Sequence, residues 1–187
     1  MARGLRIAGH PVHPMIIPFP IVLYTLAVVG DIVYLATGSD FWYRLGFVGM
    51  GLGIVTALVA AATGFAEYLT IPRRIQAKRM ATAHALVLVG ATGLMLVSLI
   101  FRATAQGVAF PETPLTGAPL GGAVSLNLAA FGLLLVGGWY GGHLVYVHGV
   151  GLTEEAAESR RVTQARVPMR IVRPHEPAPP PSQDEAH

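Results

Sequence analysis

The chain has 187 residues, 53% of them hydrophobic and only 12% charged, where an average soluble domain carries about 25%. So few charges cannot coat a globule in water, and the reading they leave is an integral membrane protein. The absence of cysteine excludes a disulfide scaffold, thiolate-ligated zinc, cysteine-held iron–sulfur clusters and a cysteine nucleophile, and a net charge of +3 is too thin a footprint for nucleic acid.

A bilayer core of about 30 Å takes roughly 20 apolar residues in helical form. Four stretches meet that length, at about 15–37, 45–69, 80–101 and 121–147. The first carries one charge, Asp31, and the second carries Glu67 near its end; the third and fourth carry none. None of them alternates apolar and polar residues, which excludes spanning strands. The first is longer than the 7–15-residue apolar region of a signal peptide and is interrupted by Asp31, so it is not expected to be cleaved. Pro18 and Pro20 should loosen its opening turns.

The connections 38–44 and 72–79 are short, and 102–120 is an extended loop holding Pro111, Pro114 and Pro119. The expected membrane domain ends near residue 151. From 152 to 187 the chain is polar, with a short surface helix expected over Thr153–Val167 and a proline-rich, disordered tail beyond. An even number of spans puts both termini and the second loop on one side. Eleven of the 13 basic residues lie there, leaving Arg44 and Arg102 on the other, so both termini are expected in the cytoplasm.

In lipid, helices associate through small residues that let backbones approach closely. The second span offers Gly49, Gly53, Ala57 and Ala61 at four-residue spacing. The fourth offers Gly137 with Gly141 and Gly138 with Gly142. These pairs serve tight helix contact, or clear room for a flat macrocycle; Gly138 and Gly142 are the candidates for the second role.

Five of the seven histidines fall at one membrane depth. His10 and His13 precede the first span, His84 lies one turn into the third, and His143 and His148 lie near the end of the fourth. Glu67, in the last turn of the second span, joins that layer. Ionisable groups inside a membrane are functional candidates. Neutral imidazole is the commonest transition-metal ligand, and two imidazoles from different helices can hold a haem iron. The same set also suits simple polar packing or a proton relay. Pro11 and Pro14 argue against a helix through His10 and His13. His143 and His148, five apart, would point to different faces of a continuous helix. Asp31 lies toward the opposite leaflet and is expected to bond tyrosine, threonine or backbone of another helix, or to sit near the interface. Glu67 is also placed to pair with Arg73 or Arg74.

The segment His10-Pro-Val-His-Pro14, the acidic residue in Gly64-Phe-Ala-Glu-Tyr68, the early histidine of the third span and the closing Gly141-Gly-His-Leu-Val-Tyr-Val-His-Gly149 resemble the transmembrane family known as domain of unknown function 2231, over about residues 5 to 152. The resemblance implies a four-helix bacterial inner-membrane protein without a settled activity. It carries His10, His13, Glu67, His84 and His148 as matching positions, and His143 falls where the motif varies. Some members are fused to Rieske-type iron–sulfur domains, which points toward redox chemistry; no such domain is expected within this sequence.

The expected fold is therefore all-α, a four-helix transmembrane bundle with a disordered cytoplasmic tail. The leading functional expectation is haem b or a transition-metal ion bound near the cytoplasmic face for electron transfer. His13, His84 and His148 are the cofactor ligands, Gly138 and Gly142 make room for the ring, and His10, His13, Glu67, His84 and His148 form the metal-ligand set. The alternatives are a structural or partner subunit without cofactor and a small transporter or proton relay using Glu67. Beyond the bilayer, a redox partner, other membrane subunits or a second copy are the expected partners, with no nucleic acid. No phosphate loop, nucleophile elbow or His-Glu-x-x-His helix marks it as an enzyme.

Overall fold

A computed structural model describes residues 4–72, 76–106, 113–152, 158–159 and 162–163. Contacts divide the chain into a unit Met1–Thr153 and a second, Glu154–His187. Most of the second, with the expected surface helix and the tail, lies outside the described residues, as do Arg73 and Arg74.

The chain enters through a two-residue hairpin, β1 (Arg6–Ile7) against β2 (His10–Pro11), turned by Ala8 and Gly9 at positive φ. A short helix α1 (Val12–Ile16) follows. Contrary to the expectation drawn from Pro11 and Pro14, His13 is helical. Pro14 sits in the first turn of α1, where its missing N–H is no loss, because the first amides of a helix have no internal partner. The prolines act one turn later. A single turn residue, Ile17, whose backbone stays in the right-handed helical region, separates α1 from α2 (Pro18–Thr37), which Pro18 opens. Gly38, at φ 68°, closes α2 in the left-handed cap that glycine adopts without strain, its amide bonded to Tyr34 O. Only Gly38 and Ser39 separate α2 from α3 (Asp40–Thr70).

α4 (Gln76–Gln106) and α5 (Gly117–Tyr146) complete the bundle, and all four long helices are apolar and long enough to cross a membrane. α3 and α4 overrun the expected spans at both ends, α5 begins four residues before its span, and α2 begins three residues after the start of its own. The largest difference is at Arg102, read from the sequence as the first residue of a loop on the opposite side but buried inside α4. Its helix continues because the charge finds a partner within the bundle, described below.

α2 packs chiefly on α3, and α4 on α5. The first contact runs along glycines. A Cβ on Gly30 would lie 2.7 Å from Trp42 O, one on Gly49 would lie 3.1 Å from Leu23 O, and one on Gly53 would lie 2.6 Å from the Tyr24 ring. The expected ridge holds as far as Ala57, which packs against the core, and turns away at Ala61, which is exposed. Four-residue steps on a helix of 3.6 residues per turn drift by about 40° each, so only part of such a row keeps facing one neighbour. Tyr24, Ala27, Met50, Ile54, Met95, Ala130 and Leu134 fill the centre. Most other large apolar side chains point outward, as lipid solvation allows.

The two hairpins, α2–α3 and α4–α5, repeat one burial pattern. Buried Pro20, Tyr24, Ala27 and Asp31 are matched 71 residues later by buried Ala91, Met95, Ser98 and Arg102. Buried Tyr43, Phe47, Met50 and Gly53 are matched 77 residues later by buried Leu120, Val124, Asn127 and Ala130. The bundle is thus an internal pair of parallel repeats, a plan known in membrane proteins. His13 and His84 stand at equivalent positions, and so do Asp31 and Arg102.

Candidate functional site

Antiparallel neighbours bring the start of α2, the end of α3, the start of α4 and the segment after α5 to one end of the bundle. His13 reaches across to α3, its Nδ1 2.9 Å from Ala60 O and 3.4 Å from Thr63 Oγ1. A carbonyl only accepts, so Nδ1 carries the proton and Nε2 keeps a lone pair in the neutral ring. The ring packs on α3 at Gly64, where a Cβ would come within 2.8 Å of Cε1. His84 repeats this on the second hairpin. Its Nδ1 donates to Gly137 O at 2.9 Å, and its Cε1 is 3.0 Å from where a Cβ of Gly141 would stand. Each histidine therefore sits on a glycine of the second long helix of its hairpin and donates to the carbonyl four residues before that glycine. Both rings are half-buried at this end of the bundle.

The other expected site residues are placed differently. His10 is exposed, and its Nδ1 bonds Ala8 O inside its own turn. Glu67 lies between the ends of the membrane unit. A Cβ on Gly4 would strike its carboxylate, and one on Gly151 would approach the other oxygen to 3.9 Å. Arg6 reinforces the same closure, donating to Gly9 O at 3.1 Å and Leu152 O at 3.3 Å. His148 corrects the spacing argument, which assumed a continuous helix. α5 ends at Tyr146, a wide turn bonds His148 N to His143 O at 3.3 Å, and the two rings pack with centroids 5.4 Å apart. His143 in turn packs on Trp139. Gly138 and Gly142 do not meet the histidines. Nothing stands within 4 Å of a Cβ on Gly138, and Gly142 meets only Tyr146. One residue is about 100° of helix rotation, which turns Gly137 and Gly141 inward and their neighbours away. Among the described residues no three of His, Asp or Glu converge into a metal-holding group.

The opposite end holds a second polar layer. Arg102 Nη2 donates to Asp31 Oδ2 at 2.7 Å, and Asn127 Nδ2 donates to the same oxygen at 2.7 Å. The guanidinium lies 5.1 Å over the ring of Tyr43, close enough for a cation–π contact. Asp31, Tyr43, Arg102 and Asn127 come from four different helices, and none is more than 1% exposed. This overturns the expected partners of Asp31: they are a guanidinium and an amide, not tyrosine, threonine or backbone. It also shows what sequence reading missed. A lone aspartate within a span calls for a cationic partner, and a locating signal was present: Arg102 follows His84 by the same 18 residues by which Asp31 follows His13.

No curated protein and no solved structure matches this chain. One family model does, over residues 9–154, from the entry hairpin through all four long helices to the loop after α5. That match spans both polar layers and both hairpins. The chain belongs to the family described as predicted membrane protein DUF2231.

Proposed function

We propose that this protein is a redox-active membrane subunit in which His13 and His84 present their Nε2 atoms to one transition-metal centre, either haem b iron or a bare ion. The observation that carries this reading is the shared tautomer: both imidazoles give the Nδ1 proton to a backbone carbonyl of the neighbouring helix. Metal-ligating histidines are held this way, with the second nitrogen's bond setting ring orientation and basicity. His13 and His84 would suffice to hold a haem iron, whereas a bare ion would take further ligands from water or from a partner. Such a centre supplies one-electron transfer when bound.

The protein's own contribution is preorganisation. Gly64 and Gly141 seat the rings, Ala60 O and Gly137 O orient them, and Arg6 ties the entry turn to the segment after α5 through Leu152 O. His10 and His148 stand outside this pair. In a bacterial inner membrane with the arginine-rich ends inside, the site would exchange electrons with a partner at the cytoplasmic face.

The test is the optical spectrum and metal content of the full chain. A Soret band that shifts on reduction, and is lost in His13→Ala and His84→Ala, supports haem. Stoichiometric metal without a Soret band, lost in the same variants, supports a bare ion. If neither appears after incubation with haemin or with divalent transition metals, and both variants only lose thermal stability, the rings are interhelical locks. The protein is then a structural subunit.

A further inference from the structure

The layer at the far end is incompletely paired within the chain. Arg102 uses one of its three nitrogens on Asp31, and the two side chains do not close the two-pronged fork that guanidinium and carboxylate favour. Asp31 Oδ1, Arg102 Nε and Nη1, Asn127 Oδ1 and the Tyr43 hydroxyl are buried without a hydrogen-bond partner among the described residues. Polar groups are not left so in a bilayer interior, where no solvent relieves them.

The unused groups have a definite character. Two oxygens accept, two guanidinium nitrogens donate, and a hydroxyl does either. The charges of Asp31 and Arg102 offset each other, so an anion entering here meets the carboxylate and a cation meets the guanidinium. A guest that accepts from Arg102 and donates to Asp31 and Asn127 suits the site, provided it is small and neutral. Leu115, Leu120 and Val124 pack against Tyr43 above this layer, and Tyr34 donates to Leu115 O at 3.5 Å, which closes it toward the loop before α5.

We infer that Asp31, Tyr43, Arg102 and Asn127 form a binding site for small neutral molecules that both donate and accept hydrogen bonds, with water as the resident guest. The site is independent of the histidine pair. X-ray hydroxyl-radical footprinting of the full chain in lipid nanodiscs tests it, because buried side chains are oxidised only beside bound water. Met50 and Met95, fully buried in the apolar centre, are internal controls of higher intrinsic reactivity than tyrosine. The expected result is oxidation of Tyr43 severalfold faster than of either methionine, falling to their level in Asn127→Leu, which removes one acceptor and fills space. Tyr43 reacting no faster than Met50 and Met95 in the unaltered chain overturns the proposal without need of any variant. Fast oxidation of Tyr43 that persists unchanged in Asn127→Leu also overturns it, since the water then reaches Tyr43 from bulk solvent.

Discussion

The two ends of the bundle place polar side chains at equivalent points of the two hairpins and treat them in opposite ways. At one end the repeat is symmetric: His13 and His84 carry the same group, each bonded to the backbone of its own hairpin. At the other end the repeat is complementary. Asp31 and Arg102 carry opposite charges and bond to each other across the hairpins. Like groups bonded within each half leave a free lone pair apiece, which suits a shared ligand. Unlike groups bonded between halves fasten one half to the other. The same helical frame therefore makes a seat at one end and a clasp at the other.

The clasp gives the largest expected effect. Removing one member of a buried ion pair leaves an uncompensated charge, at a cost of about 3–5 kcal/mol. Asp31→Leu and Arg102→Leu should each lower thermal stability in detergent by that order, while the double variant recovers most of it. The exchange Asp31→Arg with Arg102→Asp should also recover stability, because the two positions are equivalent in the repeat. Single variants costing under about 1 kcal/mol, in the range of an exposed pair, would erase the contrast between the ends.

These two ends also differ in how far the sequence reveals them. Four apolar runs announce the four helices, and the histidines could be assigned to one end because each lies near the end of its run. Arg102 could not be placed so simply. A charge after an apolar run reads locally as the start of a loop, and only its partner 71 positions earlier keeps it helical. Asn127 carries no charge and stood unmarked inside an apolar run. His148 packs on His143 because α5 ends at Tyr146 and a wide turn bonds His148 N to His143 O, an ending that no residue type before His148 announces. The glycine rows showed that close contacts exist, but Gly137 and Gly138 are neighbours in sequence and about 100° apart around α5, and only the phase of α5 against α4 decides between them.

The seat gives an intermediate effect. Gly64→Ala and Gly141→Ala push a methyl group to about 2.8 and 3.0 Å from an imidazole carbon, and overpacking of this kind costs roughly 1–3 kcal/mol. The ring must tilt, so its bond to Ala60 O or Gly137 O lengthens. If the imidazoles hold a metal, its affinity should fall by about 10–100-fold, the usual effect of disturbing such an outer bond, measured by metal retention against a chelator or by haemin titration. Loss of stability with unchanged metal retention would separate the packing role of these glycines from a ligand-positioning one.

The smallest effects decide which of the motif residues belong to the seat. His10 is exposed and bonds only within its own turn, and a Cβ on Gly138 meets nothing within 4 Å. His10→Ala and Gly138→Ala should therefore each change stability by no more than about 0.5 kcal/mol, as substitutions away from packed or bonded features do, and leave metal retention at the level of the unaltered chain. A marked loss of retention in His10→Ala would mean that the entry hairpin closes onto the imidazoles once they are occupied. A marked loss in Gly138→Ala would put a ligand on the outward face of α5 instead of between His13 and His84. Either result moves the seat. If both variants are silent while Gly141→Ala is not, adjacent faces of α5 are distinguished by function as they are by geometry.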